Sequence, residues 1–122
     1  MKCESLVSIN DFSKEEIMEL LENARSFEEN PNRRVLEGNV IATLFFEPST
    51  RTRLSFTAAM MELGGNVLGF SDAKSSSVSK GETVADTIRV VSSFADIIAM
   101  RHYKEGSPRV ASEYSRIPII NA

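Results

Sequence analysis

The segment Val40-Ile41-Ala42-Thr43-Leu44-Phe45-Phe46-Glu47-Pro48-Ser49-Thr50-Arg51-Thr52-Arg53 decides how this chain is read. Its first seven residues are too few, and too β-branched and aromatic, for a helix; they predict a buried strand. A polar turn follows. Leu54 to Leu63 then reads as a helix closed by Gly64-Gly65.

Working outward, the same alternation recurs. Upstream, Ser13-Lys14-Glu15-Glu16 forms a capping box. The helix it opens carries Ile17, Leu20, Leu21, Ala24 and Phe27 on one stripe and stops near Glu29-Asn30-Pro31. Downstream, Asn66–Phe70 and Ile97–Met100 predict strands. Glu82 to Ala95 predicts a helix with Val84, Ile88, Val91 and Ala95 on one face. Ser107 as N-cap and Pro108 at the first helical position open a short helix to about Tyr114, before a fourth strand at Ile117–Asn121. Strands alternating with helices imply right-handed βαβ units: an α/β fold with a parallel sheet of about four strands and helices on both faces. Residues 1–122 make one domain. Ser71–Gly81 is polar and serine-rich, with only Ala73 and Val78 apolar, and reads as a mobile surface loop. The last element is an apolar strand with nothing after it, which predicts a sheet truncated at that strand and hence a piece of a longer protein.

The composition is that of an ordinary soluble domain, 42% hydrophobic and 25% charged over 122 residues. A net charge of −3 argues against a nucleic-acid partner but leaves room for a local cationic pocket. Cys3 is the only cysteine, so neither an internal disulfide nor a cysteine-based zinc site is expected. No apolar run approaches roughly 18 residues, and Met1-Lys2-Cys3-Glu4-Ser5 is no signal peptide; no membrane partner and a cytoplasmic location follow as expectations.

The chemistry concentrates where the first strand meets its helix. A helix N-terminus offers unpaired N–H groups and a partial positive charge. Three hydroxyls (Ser49, Thr50, Thr52) and a guanidinium complete an anion cradle suited to a phosphate or a carboxylate. It is not a Walker loop, because the glycines and the Lys-Ser/Thr pair are missing. The plainer alternative is that Ser49 or Thr50 merely caps the helix and the arginines are solvated. Two arginines flanking Thr52 favour the site.

Phe45 through Phe56 resembles the carbamoyl-phosphate signature of the transcarbamoylases. Leu63-Gly64-Gly65, Gly69-Phe70-Ser71-Asp72, Ser79-Lys80-Gly81-Glu82-Thr83, Ala85-Asp86-Thr87-Ile88 and Met100-Arg101-His102 extend the resemblance, in order, to aspartate carbamoyltransferase catalytic chains. Ornithine carbamoyltransferases share Ser-Thr-Arg-Thr-Arg but carry lysine where Glu47 stands and lack Met-Arg-His, which favours the aspartate branch. The resemblance implies a carbamoyl-phosphate-binding domain that lacks its aspartate-binding counterpart. The implied reaction is carbamoyl transfer from carbamoyl phosphate to L-aspartate in pyrimidine biosynthesis, with no metal or organic cofactor. It assigns Ser49, Thr50, Arg51 and Thr52 to the phosphate, and Arg101 to both the phosphate and the carbonyl oxygen. Arg51, Thr52 and Arg101 become the catalytic groups. Glu47 becomes an interdomain carboxylate whose arginine partners lie in the other domain. Ser77 (with Ser75 and Ser76 adjacent in register) and Lys80 would reach a neighbouring subunit's site, implying a homotrimer, possibly joined by a regulatory chain. His102 reads as a structural hydrogen-bonding residue and Arg53 as structural. A histidine and a glutamine that the family uses would fall beyond Ala122, so this stretch is expected to bind the phosphate substrate but to be inactive alone. The competing readings are an ornithine carbamoyltransferase, or a non-catalytic phosphate-binding or assembly domain.

Overall fold

A computed structural model describes residues 5–31, 33–70 and 83–122. In chain order its main elements are α1 (Lys14–Glu29), β1 (Val40–Phe45), α2 (Thr50–Glu62), β2 (Asn66–Phe70), α3 (Val84–Val91), β3 (Ile97–Arg101), α4 (Ser107–Tyr114) and β4 (Ile119–Asn121). Ser75, Ser76, Ser77 and Lys80 lie outside the described residues.

The four strands are parallel, in the order β2-β1-β3-β4. Period-two alternation divides β1 between two cores. Ala42, Leu44 and Phe46 join Ile98 and Met100 of β3 against Ile88 of α3 and Ala111 of α4. Ile41 and Ala99 face the other way, onto Met60 of α2. Helices therefore cover both faces, as the alternation of elements requires. The start of the β1–β3 pair is pinned by Asp96, whose N–H donates to the Val40 carbonyl and whose carboxylate accepts the Val40 N–H, both at 2.8 Å.

The strand order has a direct consequence for function. From β1 the chain crosses to β2 on one side; from β2 it returns past β1 to β3 on the other. The carboxyl ends of β1 and β3 thus flank the point where the winding reverses, which is where open α/β sheets bind ligands.

The capping box of α1 forms as read: Ser13 Oγ accepts from Glu16 N at 3.1 Å, and the Glu16 carboxylate accepts from Ser13 N at 2.9 Å. Its apolar stripe, however, is not taken into the core. No α1 residue is buried, and Leu21 is 58% exposed. Several boundaries also shift, among them the start of β4, at Ile119 rather than Ile117. Helix α2 begins at Thr50, not Leu54, because Arg53 N already donates to Ser49 O at 3.0 Å. Helix α3 starts after Thr83, whose hydroxyl accepts from Asp86 N, and ends at Val91, short of Ala95. Ser107 is inside α4 rather than capping it; the N-cap is Gly106, in the left-handed region at φ 84°.

Candidate anion-binding site

The start of α2 is built against the usual preferences for a helix N-terminus. Ser49 occupies the N-cap position, yet its side chain makes no capping hydrogen bond. The first turn holds no acidic residue and two arginines, Arg51 and Arg53. Helices α1 and α3 follow the ordinary rule, with Glu15 and Glu16 or Asp86 in their first turns and serine or threonine caps engaged. A cation at the positive end of a helix dipole costs roughly 0.3–1 kcal/mol. In α4, Arg109 meets Asp11 at 2.6 Å. Neither Arg51 nor Arg53 has an ion pair among the described residues, and the Nε of Arg53 is buried without a partner.

The hydroxyls sort in the same way. Deeper in α2, Ser55 and Thr57 donate back to the carbonyls of Arg51 and Arg53, each at 2.9 Å. Ser49, Thr50 and Thr52 make no such bond among the described residues. Three hydroxyls and an exposed guanidinium are therefore gathered at the cap and first turn of α2 without a side-chain hydrogen-bond or ion-pair partner among the described residues. The reading of Ser49 as a mere cap fails on this geometry.

Arg101 comes to the same end of the sheet as the last residue of β3, register partner of Phe45. Its carbonyl accepts from Phe46 N at 2.9 Å and Glu47 N at 3.3 Å, so the main chain ties it to the segment leading into the cradle. Its Nε donates to the Ala122 carbonyl at 2.9 Å, beyond the end of β4. Glu47 is exposed and has no ion pair among the described residues. A cavity of about 510 Å³ opens beside these strand ends on the α3/α4 face, lined in part by Phe46, His102 and Lys104. It includes neither the cradle nor Arg101. An anion is held by donors and cations, so the site is assigned to the cradle rather than to the larger volume.

His102 does hydrogen-bond structurally: its Nδ1 accepts from Lys104 N at 2.9 Å. Burial first, and then the positive charge of Lys104, hold its imidazole below the ordinary value of 6.5. With the folded value below the unfolded one, protonation favours the unfolded chain. Stability from this group is intact above 6.5 and declines as pH falls below it. It is the only histidine in these 122 residues, and its ring proton resonances should titrate below 6.5; a midpoint at or above that value would contradict the burial argument. What sequence reasoning missed is the company His102 keeps. Its ring lies 5.0 Å from Phe46 and stacks on Tyr103 at 4.5 Å. The only signal in the sequence was aromatic residues recurring at strand ends.

Comparisons with known proteins give the family of the chain. The model for the aspartate/ornithine carbamoyltransferase, carbamoyl-P binding domain matches residues 4–122. The chain is 64% identical over 122 residues to the aspartate carbamoyltransferase catalytic subunit of Parabacteroides distasonis, covering all of this chain and 40% of that subunit. It superposes on the catalytic subunit of M. jannaschii aspartate transcarbamoylase with a TM-score of 0.92 at 56% identity, over 98% of this chain and 41% of that one. Against Trypanosoma cruzi aspartate transcarbamoylase in complex with carbamoyl phosphate and aspartate the TM-score is 0.87 at 39% identity, over 99% of this chain and 41% of that one. The chain thus spans about two-fifths of the length of these relatives. Matched by the family model over nearly its whole length, with its cradle at the reversal point of the sheet, this chain belongs to the aspartate/ornithine carbamoyltransferase family.

Proposed function

We propose that residues 1–122 are the carbamoyl-phosphate-binding domain of a cytoplasmic aspartate carbamoyltransferase, which makes N-carbamoyl-L-aspartate for pyrimidine biosynthesis. The observation that carries this reading is the inverted chemistry at the start of α2: arginines at the positive helix end and hydroxyls left without internal partners. That arrangement favours a bound dianion. Glu47 and Arg101-His102 favour the aspartate branch, and a relative crystallised with carbamoyl phosphate and aspartate supports the substrate pair.

In the reaction the aspartate amine attacks the carbamoyl carbon, forming a C–N bond and placing negative charge on the carbonyl oxygen. The C–O bond to phosphate then breaks, its electron pair leaving on the phosphate oxygen, and the amine's proton passes to the departing phosphate. Ser49, Thr50 and Thr52 orient the phosphate. Arg51 meets the charge that grows on it, and Arg101 with Thr52 stabilises the oxyanion. A chain of full family length bearing this sequence should convert carbamoyl phosphate and aspartate to carbamoyl aspartate and leave ornithine untouched. Preferential carbamoylation of ornithine, or none of either amine, would overturn the assignment.

The same reading makes the enzyme a homotrimer with shared sites, Lys80 (with Ser77) serving a neighbour's phosphate as a point charge. Lys80→Ala chains and Arg51→Ala chains should each be nearly inactive, yet their mixture should regain activity. Every trimer of mixed composition holds one interface where an intact cradle meets an intact Lys80. A mixture no more active than either parent, once subunit exchange is demonstrated, would put Lys80 in its own subunit's site or in none.

A further inference from the structure

Three aromatic rings join the carboxyl ends of three strands. Phe70, the last residue of β2, meets Phe46 edge-on, with centroids 5.1 Å apart and planes at 87°. Phe46, the residue after β1, lies against His102, the residue after β3. Tyr103 stacks on the outer side of His102 at an interplanar angle of 26°. Phe46 is buried and His102 half-buried. These residues stand just before the segments that carry chemistry: Phe46 three residues before Ser49, and His102 immediately after Arg101.

We propose that His102 is a positioning residue that acts through Arg101, its ring clamping the exit of β3 to the exit of β1 and so fixing Arg101 relative to the cradle. This rests on the carbamoyl-phosphate reading of Arg101 given above. Among the described residues the Arg101 side chain has one hydrogen bond, from its Nε to the Ala122 carbonyl. Its aim therefore depends on the backbone from which it springs. On one side that backbone is held by the Phe46 and Glu47 N–H bonds to the Arg101 carbonyl. On the other, contacts of the His102 side chain hold the chain as it leaves residue 101. The His102 ring packs on Phe46, and its Nδ1 receives the Lys104 N–H, closing the bend from 102 to 104. Contacts between aromatic rings of this kind add to the effect of burial and bias a short exit segment toward one conformation.

The test uses the full-length chain and steady-state kinetics in carbamoyl phosphate. His102→Ala should lower kcat/KM for carbamoyl phosphate on the order of 10-fold; a displacement of about 1 Å would bring it toward 10²-fold. His102→Phe, which keeps a ring between Phe46 and Tyr103, should stay within about threefold of wild type, and His102→Asn, which keeps an acceptor but no ring, should resemble alanine. The deciding measurement is made in an Arg101→Ala background. There His102→Ala should cost no more than about twofold further, because the group it positions is gone. Equal losses in both backgrounds would reduce His102 to general stability and overturn the proposal. So would a wild-type rate in His102→Ala, or a Phe variant as impaired as the Ala one. A wild-type chain that transfers no carbamoyl group would instead bring down the functional reading itself, and this proposal with it.

Discussion

Arg51→Ala in a full-length chain is expected to lower kcat at least ~10²-fold while weakening carbamoyl-phosphate binding much less, the scale seen when one preorganised charge-stabilising donor is removed. Charge builds on the phosphate as it departs, so the guanidinium interaction is stronger in the transition state than in the bound substrate. The structure removes the usual alternative explanation. Arg51 is exposed and has no ion pair among the described residues, so its loss breaks no ion pair there. Deleting a cation from the positive end of a helix should leave stability unchanged or raise it by roughly 0.3–1 kcal/mol. Stopped kinetics with an undiminished melting curve is the expected pair of results. An unchanged kcat would return Arg51 to the status of a solvated charge.

The second large effect is on folding. Gly69 sits in β2 at φ +139°, opposite Thr43 of β1. A Cβ added there would lie 2.1 Å from the Thr43 carbonyl oxygen and 2.8 Å from the Thr43 carbonyl carbon and nitrogen. All three are main-chain atoms of the central strand, so no rotamer change can relieve the clash. Backbone strain and overpacking each cost roughly 1–3 kcal/mol, and Gly69→Ala should lose about 3–4 kcal/mol in chemical denaturation. Gly38 provides the internal control. It too has a positive φ, +82°, but nothing within 4 Å of an added Cβ, so Gly38→Ala should lose only the backbone share of about 1–2 kcal/mol. Comparable losses at the two positions would mean that β2 can shift away from β1 at little cost.

Much of this architecture is legible in the sequence because it is local. The Ser13–Glu16 box, the buried run Val40–Phe46 and the position of α4 follow from caps and periodicity. The start of α2 does not, since Thr50-Arg51-Thr52-Arg53 has no apolar spacing to betray a helical turn. Strand order is equally hidden: β3 pairs with β1 rather than with β2, a choice made by the whole sheet that no single element's pattern encodes. Ser49, Thr50, Arg51 and Thr52 could be singled out as a candidate cradle from their chemistry. That Ser49 occupies the cap position without making a cap bond could not, since hydroxyl placement depends on backbone angles (φ −153°, ψ 88° at Ser49) that residue type alone leaves open. The exposure of Leu20 and Leu21 also had no counterpart in the pattern, because periodicity reveals a helix's apolar face but not what covers it.

The hydrogen bonds that Phe46 and Glu47 give to residue 101 end on a main-chain oxygen. A peptide carbonyl is present whatever side chain the position bears. The gauge that spaces the exit of β1 from the exit of β3 is therefore indifferent to the chemistry displayed between them. Variation at position 101, and at 51 and 52 on the first turn of α2, can retune charge, reach and donor number while the chassis stays in register. A domain wired this way gives a library of anion receptors a fixed mounting, in which guest preference can drift without the sheet having to be rebuilt.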